Sequence, residues 1–152
     1  MFLATQLAQL QKDIVAHIDQ HLNLQKDRAL LHSIPAIGPQ VGSNILSVMH
    51  NHDFGSAEQL AAYLGLVPVE RQSGSSVLGR ARMSKAGPAR IRAVLYMAAV
   101  VGTRYNPHVK AVYERLLARG KSKTSSLGAA MHKRVHLCFA YSKLNSRINA
   151  IT

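Results

Sequence analysis

Between residues 3 and 31 the chain contains neither glycine nor proline, and Leu3, Leu7, Leu10, Ile14, Ile18 and Leu22 recur at steps of three or four. That spacing predicts one long helix carrying a narrow apolar stripe. His17 and His21 flank the stripe, and Gln, Lys and Asp fill the other faces, a pattern closer to a short coiled-coil seam than to a core helix. Two arrangements fit it: the helix protrudes and needs a partner, or it folds back on the domain.

The run Ser33-Ile-Pro-Ala-Ile-Gly-Pro39 follows, then Val41, Ile45, Val48 and Met49 at helical spacing. Pro35 ends the first helix, Gly38 permits a positive φ or a close backbone approach, and Pro39 suits the first turn of the next helix. Apolar-Pro-x-apolar-Gly-Pro looks like the hairpin of helix-hairpin-helix modules, in which free amides at a helix N-terminus meet a DNA phosphate. A plain structural turn between helices reads equally from these residues.

Ser56-Ala-Glu-Gln59 is a capping box that starts a short helix ending at Gly65, with Phe54 placed to act as a hydrophobic staple. From residue 66 to 87 the periodic pattern disappears into Gly, Ser and Arg with isolated apolar positions, too long a stretch for an idle connection in a compact domain. Gly87-Pro88 then opens an apolar helix through Ile91, Val94, Leu95, Ala98 and Val101, expected to be the central buried element. Asn106-Pro107 caps another, running to Gly120 with Val109, Val112, Leu116 and Leu117 inward and Lys110 paired with Glu114. A basic linker at residues 121 to 126 leads to a last helix at 127 to 144. There Met131, Val135, Cys138 and Phe139 face inward, and Lys133, Arg134, Lys143 and Arg147 lie elsewhere.

Composition supports a helical fold, since 47% of the 152 residues are hydrophobic but only 5% are aromatic, and Trp is absent. The fold class is therefore all-α, rich in helix-hairpin-helix packing, with a protruding N-terminal coiled-coil-like helix and a long irregular loop. Charge divides the chain. Residues 1 to 70 carry three basic groups and six acidic ones, whereas residues 71 to 152 carry sixteen basic groups and one acid, Glu114. A near-neutral scaffold is joined to a polycation, so an anionic polymer is the first partner to consider. The lone Cys138 lies in an apolar stretch and forms no internal disulfide, so a buried thiol and a cytoplasmic address are expected. Neither export nor membrane insertion is indicated, because the most apolar run, 93 to 102, is about half the length a bilayer needs.

The order Ile34-Pro-Ala-Ile-Gly-Pro39, Phe54, Gln59-Leu-Ala-Ala-Tyr-Leu-Gly-Leu-Val-Pro68, Arg71-Gln-Ser-Gly74, Gly79-Arg, Ser84-Lys-Ala-Gly87, Arg90, Arg92, Leu95-Tyr-Met-Ala-Ala99, Asn106-Pro107 resembles the C-terminal domain of the IS-one-ten / IS-eleven-eleven bacterial insertion-sequence transposases. The resemblance covers about residues 30 to 145, and its specificity lies in the combination. It divides the chain into a coiled-coil-like helix at 1–31 and a C-terminal transposase domain at 32–147, with hairpin 33–49, catalytic loop 66–87 and helical core 88–145. It implies DNA transposition, in which a serine of this domain attacks the DNA backbone. An N-terminal acidic nuclease-like domain would hold Mg²⁺, and a structured RNA guides the choice of DNA in some members. Carried over residue by residue, the Ser-Gly of the Arg-x-Ser-Gly segment is Ser73-Gly74, so Ser73 is the nucleophile candidate. Ala36 stands where Gly is common and Pro88 where Asn is common, and the acidic domain is absent from these residues. The isolated chain is accordingly expected to be inactive and to contain no cofactor of its own.

Read from its residues alone, the loop is compatible with that chemistry. A serine hydroxyl needs activation, and transfer to phosphorus needs cations around the non-bridging oxygens. Arg71, Arg80, Arg82 and Lys85 supply cations, and Gly74 and Gly79 allow close backbone approach. A Ser/Gly loop with solvated arginines reads from composition alone, and Ser75 and Ser76 fit that role. Arg90 and Arg92 either bind phosphate or snorkel from the polar edge of their helix. Gly38 joins the DNA-binding candidates through the hairpin. His132 and His136 have a metal-compatible spacing but lack a third ligand in sequence, His50 and His52 read as loop residues, and Asp53, Glu58 and Glu70 are too sparse for a two-metal site. Two alternatives to transposition remain: a non-catalytic DNA- or RNA-binding module, and a helical structural protein that dimerises through its first helix. Self-association through residues 3–24 is expected if the helix protrudes, because a one-sided Leu/Ile stripe does not remain exposed.

Overall fold

The computed structural model describes residues 1–69 and 82–151 and, for residues 145, 146 and 148–151, the backbone alone. Seven helices occur among them: α1 Phe2–Asp19, α2 Leu22–Ser33, α3 Pro39–Asn51, α4 Ala57–Tyr63, α5 Ala89–Tyr105, α6 Pro107–Ala118 and α7 Lys123–Ile151. Two short strands, β1 Pro68–Val69 and β2 Arg82–Met83, pair antiparallel with Pro68 opposite Met83 and Val69 opposite Arg82. The architecture is all-α, as the composition and periodicity indicate.

The expected single helix over 3–31 is broken. His21 is extended (φ −120°, ψ 108°), and the amides of Gln20 and His21 fold back onto Ala16 and Ile18 carbonyls. No glycine or proline marks the corner. It is held across the break by Arg28 on the Asp19 carboxylate at 2.7 Å and by the Gln25 side-chain amide on the Asp19 carbonyl at 2.5 Å. Turning the chain here lets α2 pack on α7 and buries Leu31 fully, a tertiary gain that a periodicity argument does not see. Ile18 is buried at the corner, while Leu3, Leu7, Leu10 and Ile14 remain 50–78% exposed. The N-terminal stripe therefore remains largely exposed among the described residues.

The hairpin between α2 and α3 also differs from its expectation. The positive φ belongs to Ala36 (66°), whereas Gly38 is extended (φ −81°, ψ 172°) and serves as N-cap of α3. A Cβ built on Gly38 meets nothing within 4 Å, so close backbone packing does not require glycine there either. The turn is fixed from outside. Asn106, only 1% exposed, accepts from the amides of His108 and Val109 to cap α6 and donates its Nδ2 to the Pro35 carbonyl at 3.3 Å.

The central element is α7 and not α5. Contacts from α2, α4, α5 and α6 surround α7, which buries Ala130, Met131, Val135 and Cys138. On α5 the buried set is Leu95, Ala98, Ala99 and Gly102, while Tyr96, Met97, Val101 and Tyr105 are exposed. Because α7 is enclosed on several sides, its polar positions are buried too: Arg134, expected away from the inward face, is 0% exposed. The basic linker is shorter than expected, since α7 begins at Lys123 with the Ser122 hydroxyl accepting from the Ser125 amide. As expected, Cys138 is buried, and that burial pushes its thiol up to about 12, which keeps it protonated and unreactive at neutral pH.

Candidate nucleic-acid interface and the base of the loop

The loop base begins where α4 ends. Gly65, at φ 72°, turns the chain out of the helix as its amide returns to the Ala62 carbonyl and that of Leu66 to Ala61. Leu64 and Leu66 anchor this turn in the core. The returning arm is fastened by the β1–β2 pair, by the Ser84 amide on the Val67 carbonyl at 3.0 Å and by the Lys85 amide on the Gly65 carbonyl at 3.2 Å. Sequence periodicity gave no sign of this ladder, since two-residue strands are too short to alternate.

Two glycines make the crossing of the arms possible. Gly87 has φ 76°, and a Cβ there would lie 1.9 Å from the Tyr63 carbonyl oxygen; at Gly65 it would lie 2.2 Å from that of Ala86. Lys85 adopts φ 54° without being glycine, a left-handed conformation that costs free energy and persists because the ladder over-determines it. Arg92, from the first turn of α5, closes the arrangement: its Nη1 donates to the carbonyls of Ala86 at 2.6 Å, Gly87 at 3.1 Å and Leu64 at 3.5 Å. Arg92 thus acts as a clamp on the loop base. On the far side, Met83 packs against α7 at Gly128, where a Cβ would meet its sulfur at 3.3 Å.

The result is a hydrogen-bonded stem that delivers residues 69 and 82 side by side. Arg71, Ser73, Gly74 and Arg80 lie outside the described residues. Of the other DNA-binding candidates, Arg82, Lys85 and Arg90 are exposed, and none forms an ion pair with a carboxylate among the described residues. Arg82, Ser84 and Lys85 line a pocket of about 300 Å³ with Val69 and Met83. Exposed cations are placed where an anionic ligand can reach them. Gly38 sits away from this stem, in the α2–α3 hairpin.

The acids and histidines are distributed differently from their sequence reading. Asp27 is buried and accepts from, or pairs with, His50 Nε2 at 2.9 Å, so His50 is more than a loop residue. His52 stacks with Tyr63 and Phe54 at 4.6 and 5.8 Å. The rings of His132 and His136 lie 4.3 Å apart. Burial, followed by the neighbouring His136, lowers the pKa of His132. Glu58 is held below its ordinary value mainly by its own backbone amide at the start of α4. Among the described residues no three His, Cys, Asp or Glu side chains are grouped to hold a metal ion. The residue that sequence reasoning misplaced is Arg134, set off the inward face of the last helix but buried, with its guanidinium pulled below its ordinary pKa by that burial. Its place off the apolar stripe of α7 left no signal to find it. Among the described residues no helix is long and apolar enough to cross a membrane.

Comparison with known proteins places these features in context. Over 142 residues the chain is 31% identical to the pilin gene-inverting protein of Moraxella lacunata, an alignment covering 91% of this chain and 44% of that protein. It is 26% identical over 137 residues to the insertion element IS110 uncharacterized 43.6 kDa protein of Streptomyces coelicolor, covering 90% and 34%. It is 38% identical over 80 residues to the putative transposase y4rJ of Sinorhizobium fredii, covering 53% and 20%. The chain spans less than half the length of these relatives. The family model described as Transposase IS116/IS110/IS902 family matches residues 28–114, which contain the hairpin, the stem and α5, and on that match over more than half its length the chain belongs to this transposase family.

Proposed function

We propose that this chain is the serine-bearing part of a DNA transposase that binds DNA and joins it transiently through Ser73. The observation that carries the reading is family membership over residues 28–114, a span that includes Ser73 and the stem on either side of it. In the step itself the Ser73 hydroxyl oxygen forms a bond to a backbone phosphorus and the displaced deoxyribose oxygen leaves; the serine gives up its proton and the leaving oxygen takes one. Arg82 and Lys85 at the stem, with Arg71 and Arg80 beyond it, offset charge on the non-bridging oxygens. Arg92 and Gly87 keep the two arms of the loop together. One relative is named for inverting a pilin gene, which is a rearrangement of DNA and supports recombination as the reaction class. The resemblance implies that the full-length protein would draw Mg²⁺ from an acidic domain outside these residues and could be guided by a structured RNA. It would act at the nucleoid in the cytoplasm.

Incubating the full-length protein with its insertion-sequence ends and mapping any covalent protein–DNA adduct by peptide mass spectrometry tests the reading. A DNA remnant on Ser73 supports it, and a remnant on Ser75 or Ser76 overturns the assignment. The isolated chain is expected to give no adduct. A second reading, a non-catalytic nucleic-acid-binding module, is favoured by the exposure of Arg82, Lys85 and Arg90 and predicts binding without any adduct.

Both readings require salt-dependent binding. Each phosphate contact contributes about 0.9 to the log–log salt slope on duplex DNA, so charge reversal at Arg80, Arg82 and Lys85 is expected to flatten the slope far more than reversal at Lys12 and Lys26. An identical slope for the two sets in fluorescence-anisotropy titrations refutes a stem-centred interface. Self-association through residues 3–24 completes the proposal, since the exposed Leu3, Leu7, Leu10 and Ile14 stripe is a one-sided apolar face. Sedimentation is expected to show an oligomer that Leu10→Lys with Ile14→Lys converts to a monomer; a monomeric parent chain removes this contact.

A further inference from the structure

Three rings meet where α3 hands the chain to α4. Phe54 is partly buried against the core, and Tyr63, the last residue of α4, lies 5.6 Å from it and 4.6 Å from His52 between ring centroids. Aromatic side chains prefer these spacings when they pack tilted or offset. Local bonds hold the group in place: the Ser56 hydroxyl accepts from the Gln59 amide, and the Gln59 side chain accepts from the Gly55 amide at 2.8 Å. The chain has five Tyr, three Phe and no Trp, so two of its few large rings gather here, and burial does not account for the outer pair. His52 is exposed and Tyr63 is 37% exposed.

This outer pair adjoins the stem. A Cβ on Gly87 would fall 1.9 Å from the Tyr63 carbonyl oxygen, and the Lys85 amide bonds the Gly65 carbonyl at 3.2 Å. Tyr63 therefore lies against the returning arm of the loop, two residues from the exposed Lys85, whose ammonium is suited to a backbone phosphate. The rings are not. Asp53, exposed between His52 and Phe54 in the chain, repels a phosphodiester, so what the rings offer is a flat apolar face. A cation that holds the backbone beside an aromatic surface for the base is the arrangement that binds unpaired strands. In a duplex each base face is already covered by its neighbours, and such a surface has nothing to meet.

We propose that His52 and Tyr63 form a stacking site for one unpaired nucleobase of a strand whose backbone passes along the stem at Lys85. The proposal rests on the nucleic-acid reading above and deepens it by assigning a contact to a base instead of a phosphate. The bases of DNA and of RNA present the same flat face.

Fluorescence-anisotropy titrations of the whole chain over a range of salt test it, with a short single-stranded DNA, the RNA of the same sequence, the same DNA strand made abasic, and the duplex as probes. Tyr63→Ala is expected to weaken binding to the single-stranded DNA about tenfold. The salt slope should stay that of the parent, because no phosphate contact is lost, and duplex affinity should not change. Tyr63→Phe keeps the ring and is expected to keep parent affinity. The parent should bind the abasic strand as weakly as Tyr63→Ala binds the intact one. Loss on DNA and RNA strands alike assigns the shared base face, and loss on one assigns that polymer. An equal loss on single strand and duplex, or a loss that Tyr63→Phe shares, means that the substitution acts through the stem and overturns the site. Parent affinity of Tyr63→Ala for both single strands overturns it too, and leaves the nucleic-acid reading standing. A parent chain with no salt-dependent binding to any probe overturns both. Should Tyr63→Ala fail to fold, His52→Ala decides alone at its exposed position, and unchanged single-strand affinity with that variant overturns the site.

Discussion

Ser73→Ala in the full-length protein is expected to abolish the covalent protein–DNA adduct and transposition while noncovalent DNA affinity changes little. A hydroxyl adds little to a charged binding surface, but an alanine leaves no atom able to bond to phosphorus; removal of a serine nucleophile costs on the order of a million-fold in rate where it has been measured. Ser75→Ala and Ser76→Ala are expected to retain the adduct, with slower formation if loop positioning suffers. The measurement is denaturing electrophoresis of labelled insertion-sequence ends, with gel shift alongside to report binding. A Ser73→Ala enzyme that still transposes removes the catalytic reading of the loop. Loss of both adduct and gel shift indicates instead that the substitution acted on binding.

Gly87→Ala is expected to be the most damaging single substitution at the stem. Its φ of 76° disfavours any Cβ, and the new carbon would fall 1.9 Å from the Tyr63 carbonyl oxygen, a backbone atom that no rotamer change can move aside. Left-handed strain alone costs about 1 kcal/mol. Separating Gly87 from Tyr63 also strains the Arg92 bonds to Ala86 and Gly87, so a total loss of about 3 kcal/mol is expected. Urea unfolding of the isolated chain measures it, and limited proteolysis should show new cleavage between residues 66 and 87. Because the stem sets where the loop begins and ends, adduct formation by the full-length protein should fall as well. An unchanged unfolding midpoint would mean that the arms separate without cost and that the stem does not position the loop.

The helices from α3 onward and several of their caps were legible from sequence because each is written in local chemistry. The Ser56 cap, the Asn106-Pro107 and Gly87-Pro88 starts and the Gly65 stop are signals carried within a few residues. The exposure of Arg82 and Lys85 follows from the same locality, since a charged group on a pattern-free stretch has no core to enter. Family membership was legible in the combination of short motifs between Ile34 and Pro107.

What the local pattern could not decide was what each side chain finds on the far side of a helix. Arg90 and Arg92 stand two residues apart with the same chemistry, yet the first is solvent-facing and the second is committed to three carbonyls, because only the return of the chain at Ala86 and Gly87 creates those acceptors. The corner at His21 has no local breaker; it exists because packing α2 on α7 outweighs the helical bonds given up there. Arg134 was assigned to an outer face by a periodicity that assumes one buried side, and α7 is packed on several. By itself the sequence determined helix content, charge polarity, family and the candidate serine, all of which depend on residue identity and near neighbours. Tertiary structure alone decided the stem, the clamp and the buried guanidinium, since each is a contact between segments whose separation along the chain hides it from any local reading.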